Sequence, residues 1–108
     1  MNVHRSVSYR AQRISGPTAV LVSLRFGKTP APGPHMIRLL GEGEGPTATF
    51  DLAAHRDEVL AGVARANHEL NGTLEVEAIE VVPSDSPGTG EAEQLAYEVA
   101  VAVLRGSV

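Results

Sequence analysis

Residues 51–83 read DLAAHRDEVLAGVARANHELNGTLEVEAIEVVP, and the hydrophobic period changes partway through them. Leu52, Val59, Leu60, Val63, Ala66 and Leu70 recur at helical spacing, which predicts an amphipathic helix over 52–70. Asp51 stands where a carboxylate can accept the free N–H groups of the first turn, and Asn71-Gly72 offers a left-handed stop. Beyond it Leu74, Val76 and Ala78 alternate with Glu75 and Glu77, so 74–82 is expected to be a strand that ends at Pro83. The alternation slips at Ala78-Ile79, where a β-bulge is expected.

Upstream, Val7, Tyr9 and Ala11 alternate with Ser8, Arg10 and Gln12, giving a strand over 5–14 with one polar face. Ser15-Gly16-Pro17 is a turn, and a second strand follows over 18–26. Val20, Val22, Leu24 and Phe26 form one of its faces, and Leu21, Ser23 and Arg25 the other. So short a turn makes the two strands an antiparallel hairpin. GKTPAPGP (27–34) has too many prolines to lie inside a sheet; it is either a stiff connector or a binding loop with Lys28 near its tip. Met36–Leu40 reads as a third strand, Gly41–Gly45 as a turn, and Thr47–Phe50 as the completion of that strand.

Downstream, SDSPGTG (84–90) is a loop, and a second helix is expected over 91–105, with acids in its first turn and Arg105 in its last, as the helix dipole favours. The order is β-β-β-α-β-α. Because each strand has one wet face, both helices should cover the other, an α/β (α+β) two-layer sandwich.

A chain of 108 residues without cysteine fits a single domain, 1–108, and excludes a disulfide framework or thiolate-held metal. Aromatics are 4% of it, so aliphatic side chains must fill the core. No apolar run approaches the length of a spanning helix, and no apolar stretch of signal-peptide type follows the N-terminus, so the reading is a cytoplasmic protein without membrane contact. The net charge of −4 conceals a partition: six basic residues and no acid up to Gly41, then three basic residues against 13 acids. The basic half could be a nucleic-acid face. Spread as it is, it reads more simply as basic strands pairing with acidic ones in one sheet.

His55 and His68 share a helix but lie on different sides of it, and no metal-binding motif is present, so all four histidines (His4, His35, His55, His68) read as solvent-exposed. Gly88-Thr89-Gly90 ahead of a helix resembles an anion cradle, but Glu91 and Glu93 would repel a phosphate and no lysine follows. Ser84 and Ser86 have no histidine beside them to activate a serine. Glu75, Glu77 and Glu80 fit the wet face of a strand opposite arginines better than catalytic carboxylates. Tyr9 and Phe26 point toward the core, which leaves Arg10, Arg13, Arg25 and Lys28 as the candidate contacts for RNA or another partner.

Val7-Ser8-Tyr9-Arg10 resembles the Val-x-Tyr-Arg strand that opens domain IV of elongation factor G. Leu74–Leu104 is similar to the same domain: an alternating strand, a loop, then a helix with an Ala-aromatic-x-aliphatic-Ala pattern, here Ala96-Tyr97-Glu98-Val99-Ala100. The resemblance covers nearly the whole chain and implies the ribosomal protein S5 domain 2-like fold with its left-handed crossover. It implies a stand-alone, non-enzymatic module with a translation-related role, associated with ribosome or RNA, or a protein-binding or self-associating one, needing no cofactor or metal. The family's glycine-rich basic loop is reduced here to Ser15-Gly16-Pro17, and its second tip loop reads SDSPGTGEAEQ without the family's histidine or serine pair. In the family these two loops reach the decoding centre. The alternative is a small enzyme of the same fold, with a pocket at the loop end of the sheet.

Overall fold

A computed structural model describes residues 8–38, 50–82, 85 and 87–106. Its elements are β1 (Ser8–Ser15), β2 (Thr18–Phe26), β3 (His35–Arg38), α1 (Leu52–Leu70), β4 (Val76–Val81) and α2 (Glu91–Leu104). The strands form one mixed sheet in the order β1-β2-β4-β3, with β1/β2 and β2/β4 antiparallel and β3/β4 parallel. This is a compact α+β domain, compatible with a two-layer sandwich.

The hairpin pairs Ser8 with Arg25 through to Ser15 with Thr18. Gly16 at its turn has φ 58°, the left-handed region in which most side chains would be strained, so glycine is favoured there. Asp51 caps α1 as its position suggests: one carboxylate oxygen accepts from the N–H groups of Ala53 (2.9 Å) and Ala54 (3.2 Å). At the other end the left-handed residue is Asn71 itself, φ 53°. The Asn67 side chain then ties the turn down, accepting from Leu74 N–H (3.0 Å) and donating to Leu74 C=O (2.9 Å).

Val20, Val22, Leu24, Ile79 and Val81 line one sheet face and meet Val59, Val63 and Ala66 of α1 and Leu95, Ala96, Val99 and Ala100 of α2 in one buried cluster. Removing each valine or leucine from water contributes ~1.5–3 kcal/mol. Tyr9 and Phe26 pack at its edge with ring centroids 5.9 Å apart.

The bulge falls earlier than the sequence suggested. Leu24 pairs with Ile79 and Arg25 with Ala78, but Phe26 pairs with Val76, so Glu77 is the extra residue. This lets Val76, Ile79 and Val81 all reach the core although their numbers do not share one parity. Strand β4 also starts at Val76, leaving Glu75 ahead of it. Phe50 lies in a bend rather than a strand. The remaining expectations for residues 5–7, 39–49, Ser84 and Ser86, and for His4, fall outside the described residues.

Candidate interaction face and loop-end cavity

The sheet face opposite the core carries Arg10 on β1, Ser23 and Arg25 on β2, and Glu80 on β4. Register assembles them, since Arg10 pairs with Ser23 and Ser23 with Glu80. Ser23 Oγ donates to Glu80 Oε1 at 2.6 Å. Arg10 Nη2 donates to the same oxygen at 3.3 Å, and its Nε donates to Ser23 Oγ at 3.0 Å. Arg25 Nη2 reaches Glu80 Oε2 at 3.2 Å while its Nε donates to Ser8 Oγ at 3.3 Å. The Glu80 side chain is 5% exposed, against 52% for Arg10 and 36% for Arg25, so the arginines roof the carboxylate and keep an outer surface in water. Burial pushes the Glu80 carboxyl up. Hydrogen bonds from Ser23, Ser8 and Arg10, with the Arg10 charge, outweigh that and hold it below its ordinary value. Two cations share one anion, so the cluster keeps a net positive charge.

The four candidate basic residues do not form one patch. Arg10 and Arg25 stand together on this face. Arg13 shares the parity of Tyr9 and Ala11 and pairs with Glu98 of α2 at 3.7 Å, on the helix side. Lys28 is exposed in the loop after β2, beyond the strand end. That loop is pinned to the start of β4: Gly27 N–H donates to Glu75 C=O (3.0 Å), Thr29 N–H to the Glu75 carboxylate (3.1 Å) and Thr29 Oγ1 to Val76 C=O (2.8 Å). Glu75 is therefore a loop anchor, and the acid that meets Arg10 and Arg25 is Glu80.

At Gly88-Thr89-Gly90 the chain occupies the Gly88 amide itself. Glu91 folds its carboxylate back to accept Gly88 N–H at 2.7 Å and Thr18 Oγ1–H at 3.2 Å. Asp85 fastens the same loop to the sheet by accepting Leu21 N–H at 2.8 Å.

His55 is not exposed: it is 4% accessible, and neither ring nitrogen has a hydrogen-bond partner. His35 and His68 are exposed. His55 lies one helical turn before Val59 in the buried stripe that continues through Gly62, Val63 and Ala66, so the period that located the helix also located this residue. Its ring packs against Phe50, centroids 5.4 Å apart. Burial lowers its pKa, against a smaller opposite pull from Glu58. His55 is among the walls of a cavity of about 150 Å³, with Phe50, Asp51, Glu58, Pro87 and Thr89, though neither of its ring nitrogens opens on it. The cavity sits where α1 and α2 begin, near the carboxyl ends of the parallel strands β3 and β4.

Among the described residues no three His, Asp or Glu side chains stand where they could share a metal ion, and no helix is long and apolar enough to cross a membrane. No family model, curated protein or solved structure matches this chain.

Proposed function

We propose that the chain is a non-enzymatic module of the elongation factor G domain IV type, with the ribosomal protein S5 domain 2-like fold, that contacts RNA on the cytoplasmic ribosome through the open face of its sheet. The observation that carries this reading is the pair Arg10 and Arg25, held by Glu80 with their outer surfaces in water. A carboxylate that fixes two guanidinium groups from neighbouring strands lowers the entropy lost when those groups meet phosphates. The Val-Ser-Tyr-Arg motif puts Arg10 on this face, and among the described residues no helix packs over it. Because the tip loops differ from the family's, the reading rests on the face and not on the tips.

Filter binding of a single-stranded RNA tests it. Two or three neutralised phosphates give a log–log salt slope near −2, so affinity should fall about tenfold between roughly 50 and 200 mM salt. Arg25→Gln should weaken binding several-fold and flatten that slope by about one phosphate, while Arg13→Gln, on the helix side, should leave affinity within about twofold. A thermal melt of each variant shows that it is folded. Absence of low-salt binding, or equal losses from Arg13→Gln and Arg25→Gln, overturns the reading.

A further inference from the structure

We propose that the outer edge of β1 is the joint of a symmetric dimer, in which two copies of this chain add their β1 strands antiparallel about Ala11 and lay their α2 helices side by side. Three observations converge on this, and none depends on RNA binding.

The first is an open edge. β1 ends the sheet, so among the described residues nothing pairs with its second side. An antiparallel ladder turns the N–H and C=O of alternate residues toward one neighbour and of the rest away from it. Leu21, opposite Gln12, gives its N–H to Asp85 and not to β1. Gln12 and, by alternation, Ser8, Arg10 and Ile14 therefore turn their backbone groups to the open edge. Such an edge is a template for another strand.

The second is register. Only these four residues can bond across the joint, so each must stand opposite another of them, and both helical layers then fall on one side of a continuous sheet. The alignment that uses all four sets Ser8 opposite the partner's Ile14 and Arg10 opposite the partner's Gln12, each pair exchanging both hydrogen bonds, with Ala11 on the two-fold axis. No like charges face each other in it. Sliding by one pair in one direction sets Arg10 against Arg10, and in the other leaves Ser8 beyond the partner strand. Ile14, 72% exposed in the single chain, is covered by the partner strand.

The third is charge on the helix above. α2 packs over β1 and β2 and runs opposite to β1. Arg13 meets Glu98 at 3.7 Å, while Tyr9 and Ala11 share a groove of about 220 Å³ with Val99 and Ala102. About two residues of strand match about four of helix in length, so Ala11 lies level with Ala102. Glu98, Ala102 and Arg105 share one flank of α2. The axis fixed by β1 thus falls at the middle of that flank and sets Glu98 against the partner's Arg105 twice over, with the small Ala102 between. A strand spacing of ~4.8 Å leaves the two helices roughly 10 Å apart, an ordinary packing distance. The partner helix closes the groove, and this complementarity selects a second copy over an unrelated strand.

Sedimentation equilibrium of the full chain tests it. The chain should reach twice the monomer mass with a Kd in the micromolar range and go no further, because the joint closes on itself. Glu98→Arg and Arg105→Glu each set like charges across the joint and should each weaken association at least about tenfold. Mixed in equal parts, the two variants should associate about as tightly as the native chain, since each now opposes its complement; a merely structural role of either residue gives no such recovery. Both positions are exposed, and a thermal melt of each variant shows that it is folded. As concentration rises from roughly 20 µM to 1 mM, amide exchange should slow several-fold at Arg10, Gln12 and Ile14, and change little at Ala11 and Arg13, which already bond to β2. A chain that stays monomeric, an association unmoved by both substitutions, a mixture that does not recover, or slowing at Ala11 and Arg13 in place of Arg10 and Gln12 would each overturn the proposal.

Discussion

Glu80 is the acceptor for Ser23, Arg10 and Arg25 at once. Glu80→Ala strands the fully buried Ser23 hydroxyl, whereas the half-exposed arginines can rehydrate. The expected loss is about 1.5–3 kcal/mol in urea denaturation, the range for hydrogen bonds to a charged group. Glu75→Gln keeps an oxygen for Thr29 at an exposed site and should cost under about 1 kcal/mol. Val63→Asp puts an unpaired charge at a 3% exposed core position and should cost several kcal/mol. The sequence shows that a glutamate faces the arginines, but not which one, because that depends on a register shift at Glu77 which alternation places later, at Ala78-Ile79. Arg13 was legible by parity with Tyr9 and Ala11. His55 was legible by its spacing from Val59, but its residue type argued for the surface, and the absence of a partner shows only in three dimensions.

Helices α1 and α2 meet where Gly62 lies. A β-carbon there would stand 2.3 Å from Glu93 C=O, 2.8 Å from Tyr97 N and 3.0 Å from the Ala96 β-carbon. Two of these are backbone atoms, so one helix must move. Gly62→Ala gains ~1 kcal/mol of helix propensity, but overpacking costs ~1–3 kcal/mol. The expected result is a net loss, with a lower melting temperature and helix content unchanged at low temperature. A gain in stability would show that the helices can separate freely. Across the same seam the Arg65 guanidinium lies 3.8 Å from the centre of the Tyr97 ring and donates to Glu93 (3.3 Å) and Gln94 (3.0 Å), while Tyr97 donates its hydroxyl hydrogen to Glu69. Helix α1 was legible from its period and its caps and α2 from its acidic first turn, which are local; α2 ends at Leu104, so Arg105 is its C-cap rather than part of its last turn. The seam was not legible, because a glycine in a helical pattern acquires meaning only once its neighbour is in place.

Two buried groups set the response of the whole molecule to acid. His55 titrates below its ordinary 6.5 when folded, so the unfolded chain takes up its proton first. Its contribution to stability is complete above about pH 6.5 and is lost as pH falls toward the folded value. Glu80 also titrates below its ordinary 4.5 when folded, and its contribution is present above that value and lost as pH falls through the folded one. The urea midpoint measured from about pH 8 to about pH 3 should therefore fall in two stages. His55→Leu should remove the upper stage and Glu80→Gln reduce the lower; a single acid limb unchanged by either would contradict both assignments. At this scale the charge partition is also resolved. Arg10 and Arg25 meet Glu80, and Arg13 meets Glu98, so the basic N-terminal half and the acidic remainder are interleaved in space. That pairing was legible as a sum of charges. The positive excess of two arginines on one glutamate was not, because it depends on which acid the bulge at Glu77 brings to them.

The extra residue in β4 has a consequence for descent as well as for packing. Without Glu77, Val76, Ile79 and Val81 would fall into strict alternation with Ala78 and Glu80, and every inward residue would stay inward. A relative shorter by one residue can therefore lose Glu77 and keep both the core and the arginine–glutamate cluster. The same shortening between Ile79 and Val81 would turn one end of the strand inside out. Length variation tolerated among descendants of this chain should concentrate at Glu77, and an alignment gap placed elsewhere in the strand would misassign Glu80.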